Sequence, residues 1–130
     1  MRGASAIQSM LDEMHDPELR VFIVWEPVLM TDWAAPSTTT LARVRDPRAL
    51  QFWDRSHRLS RFLGGPRNFP PSNPANRILF DMRDVIWDLV AVYPPGADKP
   101  SFTGAPVARV AADVRREVER VHGLITLPPR

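Results

Sequence analysis

The sequence predicts an α/β domain, with a central mixed sheet flanked by helices on both faces. Three observations carry this. Two apolar runs, Val21–Trp25 and Val85–Tyr93, have the composition of strands. Two stretches, near residues 4–14 and 107–121, repeat their apolar residues at helical spacing. Helix-like and strand-like segments also alternate, which requires crossover connections and at least two parallel strands.

The first helix rests on Ile7, Met10, Leu11 and Met14, spaced i, i+3, i+4, i+7, with Ser5 as its cap. His15-Asp16-Pro17 ends it, because proline disfavours helix at the residue before it. Val21-Phe22-Ile23-Val24-Trp25 is continuously apolar between Pro17 and Pro27, the pattern of a strand buried on both faces. Residues 26–36 form a loop. Pro36-Ser37 then opens a second helix through Leu41 to about Arg45, stopped by Asp46-Pro47. Ala49–Trp53 reads as the second strand, with Leu50 and Phe52 on one side and Gln51 and Trp53 on the other.

Asp54 to Ser56 caps a third helix, Arg55–Leu63, with Leu59, Phe62 and Leu63 facing inward; Gly64-Gly65-Pro66 ends it. Residues 64–77 are loop, and 78–81 a short edge strand. Val85–Tyr93 is the strongest strand, closed by Pro94-Pro95-Gly96, and a further short edge strand is expected near Phe102. Val107, Val110, Ala111, Val114, Val118 and Val121 mark one face of the last helix. Arg109/Asp113 and Arg115/Glu119 are i,i+4 pairs on its outer side, and His122-Gly123 is its end. Leu124–Arg130 is expected to be a loose tail.

The 130 residues fit one domain, with residues 1–16 as an N-terminal helix. Hydrophobic residues make up 44% and charged residues 25%, the balance of a globular chain. No apolar run approaches the length of a membrane span, so a membrane partner is not expected. Met1 to Met14 holds one Arg and no continuous apolar stretch, so no secretory leader is expected and the cytoplasm is favoured. With no cysteine, disulfides and thiol chemistry are excluded. Sixteen of the 17 basic residues are Arg, yet the net charge is only +2.

One segment resembles a known family. Asp32-Trp33-Ala34-Ala35-Pro36-Ser37 follows an apolar strand and opens a helix. This is similar to the strand, loop and Trp-Cys-Gly-Pro-Cys of the thioredoxin fold, with Ala34 and Ser37 at the two cysteine positions. Leu89–Tyr93 with Pro-Pro-Gly-Ala resembles the family's apolar strand and hairpin turn, and Thr103-Gly104-Ala105 its lead-in to the last helix. The likeness spans residues 21–121 and rests on five or six positions. It implies a thioredoxin-like architecture. Three departures accompany it: no thiol, no proline near Val85 or Ile86 where the family has its cis-proline, and a longer loop before Trp33. The implied function is therefore a redox-inactive binding or assembly module. It would hold a protein or peptide in the cleft lined by Trp33, Ala34, Pro36, Ser37 and Trp53, with no cofactor.

Two other readings come from the residues themselves. Glu26 and Asp54 follow presumed parallel strands, at the edge where open α/β sheets bind ligands, and Asp32 and His57 could join them as acid or base. Against this, Asp54 suits a helix cap, Asp32 a turn end, and Glu26 and Asp88 need partners within an apolar setting, for which a central Arg is expected. Residues 43–67 hold seven Arg against Asp46 and Asp54, interleaved with Trp53 and Phe62. That pattern can bind nucleic acid, but a solvated, internally paired surface is the preferred reading. His15, His57 and His122 have no ligand spacing, so no metal is expected.

Overall fold

The computed structural model describes residues 2–29, 31–63 and 85–125, with the side chains of 124 and 125 excepted. Eight elements follow in order: α1 (Arg2–Glu13), β1 (Val21–Trp25), α2 (Thr38–Leu41), β2 (Ala49–Trp53), α3 (Arg58–Phe62), β3 (Val90–Val92), β4 (Phe102–Gly104) and α4 (Val107–Ile125). β1 pairs with β2 in parallel, in the register Val21↔Ala49 to Trp25↔Trp53. β3 pairs with β4 antiparallel, from Val90↔Gly104 to Val92↔Phe102. The chain is thus a mixed helix and strand fold with parallel and antiparallel pairs. The expected single central sheet is instead two separate two-stranded sheets among the described residues.

The core lies between the two long helices and the inner faces of both sheets. Ile7, Met10, Leu11 and Met14 of the first helical segment meet Val107, Val110 and Val114 of α4, with Val44 and Val92 closing the cluster. The apolar spacing of both helices predicts this contact, since each must bury its stripe against another element. α4 runs past His122-Gly123 to Ile125. Glycine within a helix weakens it without ending it. On its outer side Arg115 pairs with Glu119 at 2.9 Å, as expected, and also with Glu13 of α1. Asp113, however, pairs with Arg116 in place of Arg109.

β1 is not buried on both faces. Phe22 is 64% exposed, and the strand holds no fully buried residue. Val21, Ile23 and Ala49 pack against the core, while Phe22 stacks on Phe52 across the outer face at 6.4 Å between ring centres. Val85–Tyr93 is extended only over Val90–Val92. Asp88 adopts a left-handed φ of 51°, which breaks the run. The neighbouring backbone groups also bond elsewhere: Ile86 N–H donates to Ser60 and the Asp88 carbonyl accepts from Val107 N–H. The edge strand expected at 78–81, the loop at 64–77 and the tail beyond Ile125 lie outside the described residues. The cis-peptide Ala105–Pro106 stands at the start of α4, away from Val85 and Ile86.

The turn between α2 and β2 holds α1 in place. Asp46-Pro47-Arg48 folds so that the Arg48 amide donates to Asp46 Oδ1. The Arg48 guanidinium then reaches back to the end of α1. Its five N–H donors meet Asp46 Oδ1 (2.9 Å), Asp46 Oδ2 (2.6 Å), Leu11 O (2.7 Å), Met14 O (2.6 Å) and Asp16 O (3.1 Å). Leu11 lies in the last turn of α1, whose carbonyls the helix itself leaves short of partners, and Met14 and Asp16 lie just beyond it.

Candidate functional site

β1 and β2 end level with each other, and Asp54 N–H donates to Trp25 O at 2.8 Å. The chain leaves both strands as charged residues, Glu26 and Asp54, at the C-terminal edge of the parallel pair. α3 begins close by, and the two carboxyl groups converge on its first turn. Asp54 Oδ2 accepts from Leu59 N–H at 2.8 Å and Oδ1 from Ser56 N–H at 3.2 Å. Glu26 Oε1 accepts from Ser60 N–H at 3.2 Å, and Oε2 from the Ser60 hydroxyl at 2.5 Å. The formal N-cap, His57, offers α3 no side-chain bond. It sits at a left-handed φ of 53° and places Nε2 2.6 Å from the carbonyl of Pro27.

Glu26, Asp54 and His57 are therefore brought together, and Asp32 is not. Asp32 Oδ2 accepts from Val28 N–H (3.2 Å) and Leu29 N–H (2.8 Å), and its own amide donates to Leu29 O. That is the turn-closing role open to it in the sequence. Burial opposes ionisation of Asp54, but the amides of Leu59, Ser56 and Arg58 and the Glu26 carboxyl outweigh it and hold its carboxyl below the ordinary value. Among the described residues the partner of Glu26 is Ser60 and not the expected arginine. For Asp88, too, no arginine partner stands among the described residues. The carboxylate oxygens at this edge accept from the amides of Ser56, Leu59 and Ser60 and from the Ser60 hydroxyl, and Ser60, 1% exposed, presents no hydroxyl to solvent. The geometry is that of a helix docked by two caps. Among the described residues no group of His, Asp or Glu is arranged to hold a metal ion.

The cleft residues divide in the same way. Ser37 caps α2: its Oγ accepts from Thr40 N–H at 3.2 Å. α2 then closes at Leu41 rather than Arg45, because Gln51 Nε2 takes the Leu41 and Val44 carbonyls at 2.9 and 3.1 Å. The Trp25 indole holds Gln51 in turn, at 3.1 Å. Ala34 and Ser37 are exposed, while Pro36 and Trp53 are half-buried. Trp33 is 81% exposed. Phe22–Phe52 is the only ring pair among the described residues, so Trp33 and Trp53 do not stack.

α3 departs most from expectation. It is short, Arg58–Phe62, and its inward residue is Ser60. Leu59 and Phe62, expected inside, are exposed, Phe62 by 86%. Sequence reasoning missed Ser60, because a serine inside a helix carries no signal unless a buried carboxylate awaits it. The arginine surface is also less paired than expected. Of Arg43, Arg45, Arg48, Arg55, Arg58 and Arg61, only Arg48 has an ion-pair partner among the described residues. No helix of the described residues is long and apolar enough to cross a membrane. No protein family, no curated protein and no solved structure matches the chain.

Proposed function

We propose that the chain is a redox-inactive, thioredoxin-like module that holds a protein or peptide segment against its 26–33 loop and α3. The observation that carries this is Trp33, left 81% in water on a loop that Asp32 ties with three hydrogen bonds. A large aromatic held on a fixed backbone loses little freedom on binding, which is why such residues dominate interface energies. Three bonds join the loop to α3 and its N-cap, two from Ser60 to Glu26 and one between His57 and Pro27, so both form one surface. The thioredoxin-like part rests on element order: a parallel β1–α2–β2 unit, and an antiparallel β3–β4 pair leading into α4. Ser37 at the head of α2, where that family carries a thiol, fits the redox-inactive part.

Trp33→Ala is expected to weaken a peptide selected on the wild-type chain by at least roughly tenfold, about 1.4 kcal/mol. Stability should change by no more than about 0.5 kcal/mol, as for other exposed positions. Titration by fluorescence or calorimetry, with a melting curve of the same preparation, reads both quantities. Unchanged affinity would remove Trp33 from the site. The chain is also expected to reduce insulin disulfides no faster than buffer, since it carries no thiol.

A further inference from the structure

α3 is turned the opposite way from a core helix. Its hydroxyl-bearing residue, Ser60, is inside, and Leu59 and Phe62, three apart on one face, are outside. Arg55, Arg58 and Arg61 stand exposed beside them, and residues 55–63 contain no carboxylate. Among the described residues none of these three guanidinium groups forms an ion pair. Among those residues Arg61 bonds only to the uncharged carbonyls of Ser56 and His57. α4 behaves differently: Arg115, Arg116 and Arg120 each meet a Glu or Asp within a turn. The carboxylates beside α3, Glu26 and Asp54, accept from its amides. Positive charge and apolar surface therefore face outward together, and among the described residues both lack complements.

We propose that this face of α3 binds an acidic protein segment, one in which Asp or Glu residues flank Leu-like or aromatic side chains. The proposal rests on the peptide-binding reading above and names the partner class of that same surface. Guanidinium groups take carboxylates through paired hydrogen bonds, stronger than neutral ones. Leu59 and Phe62 supply the apolar contacts that a string of carboxylates alone would not use. A nucleic acid would satisfy the arginines and could stack on Phe62, but it offers nothing to Leu59.

The test pans a library of random peptides, roughly twelve residues long, over the immobilised full-length chain. Enriched sequences are expected to combine Asp or Glu with neighbouring Leu, Phe or Trp. Made synthetically, they should lose at least roughly tenfold in affinity on Arg55→Glu with Arg58→Glu, and should weaken as salt rises and screens the charges. Among the described residues neither arginine's side chain makes a hydrogen bond or ion pair, and a melting curve checks that the double variant is folded. Phe62→Ala should weaken the same peptides independently of charge. Enrichment of neutral or basic peptides, no enrichment, or unchanged affinity in the double variant overturns the proposal. So does a single-stranded oligonucleotide that displaces the selected peptides at lower concentration than they displace one another. Trp33→Ala separates the two readings. Loss with Trp33→Ala but not with the arginine pair keeps the peptide surface and sinks the α3 assignment; the reverse pattern keeps α3 and removes Trp33.

Discussion

Val114→Asp is expected to unfold the chain or to lower its melting point by roughly 10 °C or more. Val114 lies mid-way along α4, 2% exposed, in the cluster that also holds Leu11, Met10 and Val110. A carboxylate there has no cation to pair with among the clustered side chains. Transferring it unpaired into apolar surroundings costs several kcal/mol, by ionisation without a partner or by protonation at neutral pH. The total stability of a domain this size is on the order of 5–15 kcal/mol, so one such cost is a large share of it. Ala112→Asp is the control: the same helix and the same new charge, two residues away on the exposed face. It should shift stability by no more than about 0.5 kcal/mol. Circular dichroism melts of the two variants read the difference directly. Equal melting points would show that the face of α4 carrying Val114 is not the one packed on α1.

The α1–α4 contact was legible because periodicity is a property of the segment itself. Ile7, Met10, Leu11 and Met14, and Val107, Val110 and Val114, name their buried face without knowledge of any other element. Both strands of the parallel pair were legible to the residue, since Pro17, Pro27, Asp46-Pro47 and Asp54 bound them. Burial of β1 was not. Whether Phe22 meets a cover depends on what packs over the outer sheet face, and composition alone does not say. Val85–Tyr93 failed for a related reason. Its apolar content suits a strand, but a strand also needs a neighbour for its amides, and outside Val90–Val92 the Ile86 amide turns to Ser60.

The candidate site was legible at its anchors and not at its orientation. Glu26 and Asp54 could be placed together because each follows a strand of one parallel pair. The exposure of Trp33 accords with its place on the loop before a helix. The outward turn of Leu59 and Phe62 could not be read, because apolar spacing over five residues fits either side of so short a helix. What decides the side is Ser60, and its partner Glu26 is 34 residues earlier. One buried hydroxyl bonded to a carboxyl outweighs the spacing of two apolar residues: turning Ser60 out would leave the half-buried Glu26 without these donors, which costs more than leaving Phe62 in water.

Arg48→Met is expected to lower stability by roughly 3–5 kcal/mol, the loss typical when one partner of a buried pair is removed. Methionine keeps most of the apolar stem, so the loss reads the guanidinium and not the packing. Arg48 and Asp46 have side chains only 16% and 11% exposed, and all five donors of the arginine are used. Without it, the carbonyls of Met14 and Asp16 lose the guanidinium, that of Leu11 keeps only the Met14 amide at 3.3 Å, and Asp46 is left largely out of water with no cation. The pH dependence identifies the cause. The side-chain hydrogen bonds from Arg48 outweigh burial and hold Asp46 at about 2 in the folded chain, against an ordinary 3.8. A carboxyl lowered on folding contributes stability that is complete above the unfolded value and is lost as pH falls through the folded one. Wild-type stability should therefore decline between about pH 4 and about pH 2 by an amount the variant does not share. The gap between the two chains in urea unfolding should narrow over that same window. Glu117, held near 2 by Arg120, contributes to both chains alike and cancels in the comparison. A gap that stays constant from neutral pH down to about pH 2 would show that the Arg48–Asp46 pair is not what joins α1 to the turn before β2.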